Sequence, residues 1–329
     1  LISISVIFSS CKKNEPAKPT QSIDIFNVFW EDFNRTYPYF IHKQIDWDSL
    51  HTVFASQINQ NTTSEELFNL IGELSLELKD IHVYLSSSYG NYHYSKKHLY
   101  PENPPLHATN YLIDVSVDDS KCLFGRIDNT NYAYLQIKTF TGQLSQFSHA
   151  ISSLDSIKNR DGLIIDIRHN GGGNELNARA FAGRFINNNT VYKYTRIRNG
   201  SGWDEFSDWH ASILPASNFL EFSKPLILLT NRRVYSSAEL FTLMMKSYPN
   251  LIILGDTTGA ASANPAKRTL PNGWEYYVST WQAAGLNYLL IEDHGIAPDH
   301  YVLMTETSIN EGKDLILESA IELLNDRTN

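Results

Sequence analysis

The sequence predicts an α/β fold in which a layered α/β core follows a small helical domain. Short, almost wholly apolar segments at 163–167 (LIIDI) and 226–230 (LILLT) are typical of strands buried on both faces. Amphipathic helical patterns separate such segments, and strands that alternate with helices form layered α/β domains. Helically spaced aromatic residues before position 85 predict the helical domain.

The composition excludes several classes of protein. The chain has 329 residues and a formal net charge of -9, with 42% hydrophobic and 19% charged residues, as in ordinary globular proteins. The negative charge and the lack of a lysine- and arginine-rich cluster argue against nucleic acid as a partner. No apolar run reaches the ~18 residues that span a membrane, and two cysteines are too few for a disulfide framework.

The first segment, 1–11, resembles the end of a bacterial lipoprotein signal. An apolar run and two small residues, Ser9 and Ser10, precede Cys11, whose thiol would accept the lipid after cleavage. We therefore expect Cys11 to anchor the protein to the membrane of the bacterial cell envelope, in the periplasm or on the outer-membrane surface. The alternative is a frayed tail with an incidental cysteine. Residues 12–22 follow as a polar, proline-containing linker.

A helical domain is predicted over 23–85. Aromatic residues at helical spacing occupy 26–37, and a second apolar stripe begins at Trp47. Thr63 and Glu66 form a capping-box pair before a third stripe. We interpret these stripes as core rather than as a ligand site.

The rest of the chain divides into two regions. Residues 86–130 are predicted as a loop-rich connecting segment, whose first part, 86–110, is rich in Tyr, His, Ser and Pro, and residues 131–329 are predicted as the core domain. Strands of the core are predicted at 132–140, 162–169, 225–231, 251–256, 274–281 and 288–293. Helices of the core are predicted at 144–154, 176–186, 238–248 and 315–324.

Three glycines directly follow one of these strands. Gly171, Gly172 and Gly173 end the segment DIRHNGGG. Glycines in this position let the backbone approach a ligand and leave N–H groups able to bind a developing oxyanion. A plain strand–helix turn explains the pattern equally well. The pattern matches neither the dinucleotide fingerprint nor the P-loop, and no cofactor is expected.

Two serines begin a predicted helix in the segment NRRVYSSAEL. Ser236 or Ser237 falls at the N-cap or in the first turn, where serine is common simply as a cap. A hydroxyl in the same position meets the positive helix end, and the next N–H can stabilise an oxyanion. The segment therefore supplies a candidate nucleophile.

Other candidate residues are weaker on their own. An acidic pair, Glu292 and Asp293, precedes a glycine turn, and such pairs are usually exposed. His82 lies just past a predicted helix end, where a single histidine is more often structural than catalytic. Histidine, cysteine and acidic residues do not occur at metal-ligand spacing, so no metal site is expected.

Four motifs together resemble a known family. GLIIDIRHNGGG, LLTNRRVYSSAELF, ILGDTTG and GIAPD occur in the order found in the C-terminal processing (tail-specific) serine peptidases. The resemblance covers roughly 130–310, and LKDIHVYL extends it back to about residue 23. It implies a crotonase/ClpP-like layered α/β core after a helical domain. The family often has a PDZ domain between the two, but the segment 85–132 is too short for one.

The resemblance assigns a role to each motif residue. Ser236 falls on the nucleophile, and Gly171, Gly172, Gly173 and the N–H of Ser237 fall near the oxyanion hole. In the main branch of the family a lysine base follows the nucleophile. Position 261, where that lysine would stand, is alanine, and the nearest later lysine is at 267.

The chain is closer to a second branch, which is similar to the tricorn protease core and the interphotoreceptor retinoid-binding proteins. There a histidine of the helical domain and a downstream glutamate complete the site, and His82 and Glu292 fall on those positions. The resemblance implies that His82 takes the Ser236 proton and that a carboxylate orients the imidazole. This branch has a serine before its histidine where this chain has Ile81. Either Glu292 reaches His82 directly, or Asp80 or another group substitutes.

Two functions remain open. The first is a lipid-anchored serine endopeptidase that cleaves peptide or protein substrates through an acyl-enzyme on Ser236, without metal or cofactor. The second is a catalytically inactive protein on the same fold that binds a peptide or an apolar ligand. An unrelated α/β hydrolase is disfavoured because no Gly-x-Ser-x-Gly elbow occurs. The oligomeric state is left open.

Overall fold

A computed structural model describes residues 21–96, 99–101, 103–118, 120–217 and 220–328. The expected lipoprotein signal at 1–11, including Cys11, and nearly all of the linker lie outside the described residues. In the described ranges, no helix combines the length and apolar character needed to span a bilayer.

The elements alternate as predicted after a helical start. The helices are α1 (Ser22–Thr36), α2 (Phe40–Lys43), α3 (Trp47–Ala55), α4 (Ser64–Leu76), α5 (Ser148–Ser153), α6 (Glu175–Ala182), α7 (Ser237–Met245), α8 (Glu306–Asn310) and α9 (Leu315–Thr328). The strands are β1 (Tyr84–Ser87), β2 (Gly90–His93), β3 (Leu112–Asp118), β4 (Cys122–Ile127), β5 (Tyr132–Ile137), β6 (Gly162–Asp166), β7 (Thr190–Ile197), β8 (His210–Leu214), β9 (Leu226–Thr230), β10 (Leu251–Gly255), β11 (Pro265–Thr269), β12 (Glu275–Ser279), β13 (Trp281–Ala284) and β14 (His300–Tyr301).

A seven-stranded sheet forms the centre of the core, in the order β14-β10-β9-β6-β5-β4-β3. The five strands from β14 to β5 are parallel, and β4 and β3 continue the sheet antiparallel. Successive residues of β6 point to opposite faces, so Leu163 packs in the core with Phe241 of α7 and Ile164 in the core with Ile316 of α9. Burial on both faces explains the apolar strands, and the predicted layered α/β core is confirmed.

Two segments differ from the prediction. Residues 86–130 hold more regular structure than a loop, because Leu112, Leu123 and Ile127 are buried and bring β3 and β4 onto the sheet. The predicted strand at 288–293 is wrong. Tyr288 and Asp293 have φ of 60° and 61°, which breaks an extended run, and only an isolated bridge forms there.

The helical domain is completed by residues from the far end of the chain. Its predicted capping box is confirmed: the Thr63 hydroxyl accepts from the Glu66 N–H, and the Glu66 carboxylate accepts in return. Helices α1 to α4 share a core with the sheet β11-β12-β1-β2. Because β1 pairs with β12, the segment between α4 and β1, which carries His82, lies against the C-terminal half.

A buried ion-pair network fixes the end of β6. The Arg168 guanidinium binds Asp166 at 2.6 Å and Asp314 at 2.8 Å, and all three side chains are inaccessible to solvent. The Asp166 carboxylate also accepts from the Tyr134 hydroxyl at 2.9 Å. The network connects the end of β6 to the start of α9. The end of β6 leads into Gly171–Gly173, which we call the glycine turn.

We expect Arg168→Leu to lower the free energy of unfolding by about 3–5 kcal/mol, because it leaves two buried carboxylates without a counter-ion. Urea denaturation would measure the change. The matched control is Lys313→Met, which removes an exposed pair with Glu311 and should change stability by less than about 1 kcal/mol. Equal, small effects of both changes would contradict the structural role of Arg168.

Candidate active site

The glycine turn lies beside the turn that carries Ser236 and Ser237, which we call the serine turn. The two meet because β6 and β9 are adjacent parallel strands whose carboxyl ends lie at one sheet edge. The Tyr235 N–H donates to Asn170 O at 3.2 Å, and the Ser237 hydroxyl donates to Gly173 O at 2.9 Å. A Cβ on Gly172 would lie 2.9 Å from the Ser236 Cβ, and its φ is 95°. The sequence therefore needs glycine at this position so that the two turns can touch.

Ser236 has a strained backbone, with φ of 55° and ψ of -127°. This conformation costs a non-glycine residue on the order of 1–3 kcal/mol and is found chiefly at functional sites. The Ser236 N–H donates to Ala261 O at 2.9 Å, which helps to hold the turn. Although Ser236 is the N-cap of α7, its side chain accepts no capping hydrogen bond. The simple capping interpretation therefore does not account for the serine.

Three of the four predicted oxyanion donors are available. The Gly172 N–H donates to the Asn170 side chain at 2.9 Å and is engaged. Among the residues that the structure describes, the N–H groups of Gly171, Gly173 and Ser237 have no acceptor. Free N–H groups beside a hydroxyl are the arrangement that stabilises a tetrahedral oxyanion.

His82 lies against Asp80. The His82 Nδ1 is 3.6 Å from Asp80 Oδ1, and the His82 backbone N–H donates to the same oxygen at 2.8 Å. The Ser279 hydroxyl donates to Asp80 Oδ2 at 2.7 Å. The carboxylate is thus held from both sides and faces the imidazole.

The contact between His82 and Asp80 shifts the pKa of both side chains. Burial alone would lower the pKa of His82, but the neighbouring Asp80 carboxylate, with smaller effects from Glu292 and Glu239, raises it above 6.5. Burial alone would raise the pKa of Asp80, but the His82 and Lys43 interactions hold it well below its usual range. The site therefore favours a charged imidazolium beside an ionised carboxylate, which is the state that forms when a histidine has taken a proton.

Glu292 forms ion pairs with two lysines rather than with His82. Its carboxylate is fully buried, with Lys43 Nζ at 2.8 Å and Lys96 Nζ at 3.9 Å from Oε1. Burial and the charge of Asp80 raise the pKa of Glu292, and the two lysines partly offset this rise. Within the described ranges no hydrogen bond joins Glu292 to His82, so Asp80 is the nearer carboxylate partner.

Glu239, one turn after Ser236, connects the helix to the neighbouring loop. It is buried and accepts from Thr258 Oγ1 at 2.6 Å and from the N–H groups of Ala260 and Ala261, each at 2.9 Å. Burial raises the pKa of Glu239 to about 7, despite these donors.

In the described part of the chain, no hydrogen bond joins the Ser236 hydroxyl to His82. Such bonds often tighten only in the substrate complex.

The alternative lysine base does not fit. Lys267 lies on β11 with half of its side chain exposed, and its Nζ pairs with Glu275 at 2.7 Å. Burial is what lowers a lysine pKa toward neutrality, and Lys267 lacks it.

Sequence reasoning missed Lys43 and Lys96, which also line a cavity of about 620 Å³ beside Asp293. Lys43 Nζ lies 2.8 Å from Asp293 Oδ2, and Lys96 Nζ lies 3.1 Å from Oδ1. No signal near Lys43 in the sequence points to a partner 250 positions away. No group of three or more metal-ligating side chains occurs in the part of the chain that the structure describes.

Comparison with known proteins gives consistent matches. Residues 131–302 match peptidase family S41, and residues 23–75 match the tricorn protease C1 domain. The structure of a candidate peptidase from Parabacteroides merdae is 30% identical, with a TM-score of 0.84 over 93% of this chain and 97% of that chain. The tricorn protease structure has a TM-score of 0.61 at 16% identity, covering 94% of this chain and 37% of that chain, a likeness of fold alone.

A curated relative matches about half of this chain. The tail-specific protease of Haemophilus influenzae is 27% identical over 163 residues, which are 47% of this chain and 21% of that protein. The aligned segment therefore spans about a fifth of that relative's length.

Proposed function

Because the chain belongs to peptidase family S41, we propose that it is a serine peptidase that cleaves peptide bonds through an acyl-enzyme on Ser236. His82 is the general base, and Asp80 is the carboxylate that stabilises its charged form. The substrate is a peptide or protein, in keeping with the tail-specific protease that about half of this chain resembles. Anchoring through Cys11 in the bacterial envelope remains part of the proposal and rests on residues 1–11 alone.

One observation carries this proposal: the strained, uncapped serine at the carboxyl end of the parallel sheet. Ser236 has φ of 55°, and its hydroxyl caps no helix. Gly172 packs against it, and three backbone N–H groups nearby have no acceptor among the described residues. Strain of this kind is retained where the surrounding structure needs the side chain in one place.

The chemistry follows from these groups. Neutral His82 takes the Ser236 proton as Oγ attacks the scissile carbonyl carbon, and the N–H groups of Ser237 and the glycine turn bind the oxyanion. The imidazolium, stabilised by Asp80, then gives its proton to the leaving amine. Water attacks the acyl-enzyme by the same route and restores Ser236.

The inactive binding protein is the less supported function. A binding protein without catalysis would have no use for both a buried histidine–aspartate pair and a strained, uncapped serine. The missing lysine does not favour it either, because His82 offers a base in its place.

The proposal is tested by labelling with a fluorophosphonate, which phosphonylates activated serines without knowledge of the substrate. We expect one adduct per chain by intact mass, located by peptide mapping at Ser236 and absent in Ser236→Ala. Ser247→Ala, two residues beyond the carboxyl end of α7, is the matched control and should label like the wild type. A well-folded wild type that takes up no label, or a label elsewhere, would contradict the proposal.

A further inference from the structure

The loop that follows β10, residues 257–261, supports the serine turn, and we call it the support loop. The Gly259 N–H donates to Val234 O at 2.7 Å, and the Ser236 N–H donates to Ala261 O at 2.9 Å. The backbone of the serine turn is therefore bound to the backbone of the support loop. The strained conformation of Ser236 depends on where this loop lies.

One peptide group of the support loop is bound at both ends by charged side chains. Ala260 O and the Ala261 N–H belong to the same peptide group and point in opposite directions. Lys96 Nζ donates to Ala260 O at 2.7 Å, and the Ala261 N–H donates to the Glu239 carboxylate at 2.9 Å. A peptide group is partially negative at its oxygen and partially positive at its N–H, so the cation and the anion both stabilise this orientation.

Ala260 needs such support because its own backbone is strained. Its φ is 61°, in the left-handed region that residues with a Cβ disfavour. The Asp293 N–H also donates to Ala260 O, at 3.0 Å. Ala260 and Ala261 are both buried, so bulk water has little access to the peptide group between them. The bond from Lys96 is therefore not one that solvent can readily replace.

Lys96 is itself held in place by two carboxylates. Its side chain is 6% exposed, and its Nζ lies 3.1 Å from Asp293 Oδ1 and 3.9 Å from Glu292 Oε1. Lys43 forms ion pairs with the same two carboxylates, at 2.8 Å to each. Among the residues that the structure describes, Lys43 donates no hydrogen bond to the support loop. The two lysines therefore share their acidic partners and differ in the contact with Ala260 O.

We propose that Lys96, which stands 164 positions before Ala260 in the chain, is a positioning residue for Ser236. Its ammonium group holds the peptide group between Ala260 and Ala261, which places Ala261 O where it binds the Ser236 N–H. In this role Lys96 acts on the reaction only through the support loop. The effect on reactivity rests on the proposed peptidase function, and the effect on the order of the loop does not.

The test is Lys96→Met in the full chain, which keeps a long, unbranched side chain and removes the donor and its charge. Amide hydrogen exchange over the support loop and the rate at which a fluorophosphonate labels Ser236 would both be measured. We expect exchange in the loop to become roughly 30-fold faster, the effect of losing one hydrogen bond to a charged group. We also expect the maximal labelling rate to fall about tenfold with the affinity for the probe unchanged, because a misplaced nucleophile reacts more slowly once the probe is bound.

The matched variant is Lys43→Met, which removes a lysine from the same two carboxylates but leaves the bond to Ala260 O in place. It should change exchange in the support loop by less than about threefold. An equal or larger change in Lys43→Met would overturn the proposal, since the loop would then respond to the lost charge rather than to the lost contact. Unchanged exchange and labelling in a folded Lys96→Met would overturn it as well.

Two further outcomes are decided by the same measurements. If Lys96→Met does not fold, Lys96→Gln takes its place with the same expectations, because its polar side chain is one bond too short to reach Ala260 O. If the wild type takes up no label at Ser236, the proposed function fails. Hydrogen exchange in the variants then still decides whether Lys96 orders the support loop.

Discussion

Ser236→Ala is expected to reduce peptide cleavage by roughly 10⁵-fold or more, the scale on which removal of a serine nucleophile acts in other serine peptidases. The hydroxyl is the only group of the serine turn that can form the acyl-enzyme, because Ser237 donates its own hydroxyl to Gly173 O. Alanine adopts the positive φ of this position at a cost similar to that of serine, so the variant should fold like the wild type.

The measurement is digestion of a peptide library followed by mass spectrometry, with wild type, Ser236→Ala and His82→Ala side by side. Loss of cleavage in both variants supports the serine–histidine mechanism and gives the cleavage preference. Cleavage that survives His82→Ala but not Ser236→Ala would mean that the nucleophile is right and the base is wrong. Cleavage that survives Ser236→Ala would contradict the nucleophile itself.

Local motifs explain how much of this site the sequence could predict. The glycine turn and Ser236 each lie a few residues after an apolar strand, and adjacent parallel strands bring their carboxyl ends together at one sheet edge. The capping box of Thr63 and Glu66 is likewise decided within four residues. Chemistry that depends on a few neighbouring residues can therefore be predicted from the sequence.

Pairings between residues that are far apart in the chain cannot be predicted in this way. Lys43 and Glu292 are far apart in the chain, and nothing in either segment shows that the carboxylate meets a lysine before it meets His82. The same limit explains β3 and β4, whose few apolar residues are buried only because β5 offers an open sheet edge. The competition between Asp80 and Glu292 for His82 is a matter of tertiary geometry.

Asp80→Asn is expected to lower kcat/KM by about 10⁴-fold, the effect of the corresponding change in a serine–histidine–aspartate site. The Oδ1 of asparagine can still accept from the His82 backbone N–H. The local geometry should therefore be retained while the negative charge is lost. Glu292→Gln is the matched variant and should cost only about tenfold, because Glu292 lies on Lys43 and has no hydrogen bond to His82 among the described residues.

The pH profile separates the two carboxylates further. His82 must be neutral to take a proton, so kcat/KM should rise with pH through the pKa of His82, which lies above 6.5 in the wild type. Asp80 is the main cause of this rise in pKa, and its loss should move the acid limb of the profile to lower pH while the plateau falls. Glu292→Gln should move the limb in the same direction but less, since Glu292 contributes less to the pKa of His82. A larger loss of rate in Glu292→Gln than in Asp80→Asn would instead make Glu292 the partner of His82. The ion pair between Lys43 and Glu292 would then have to break when substrate binds.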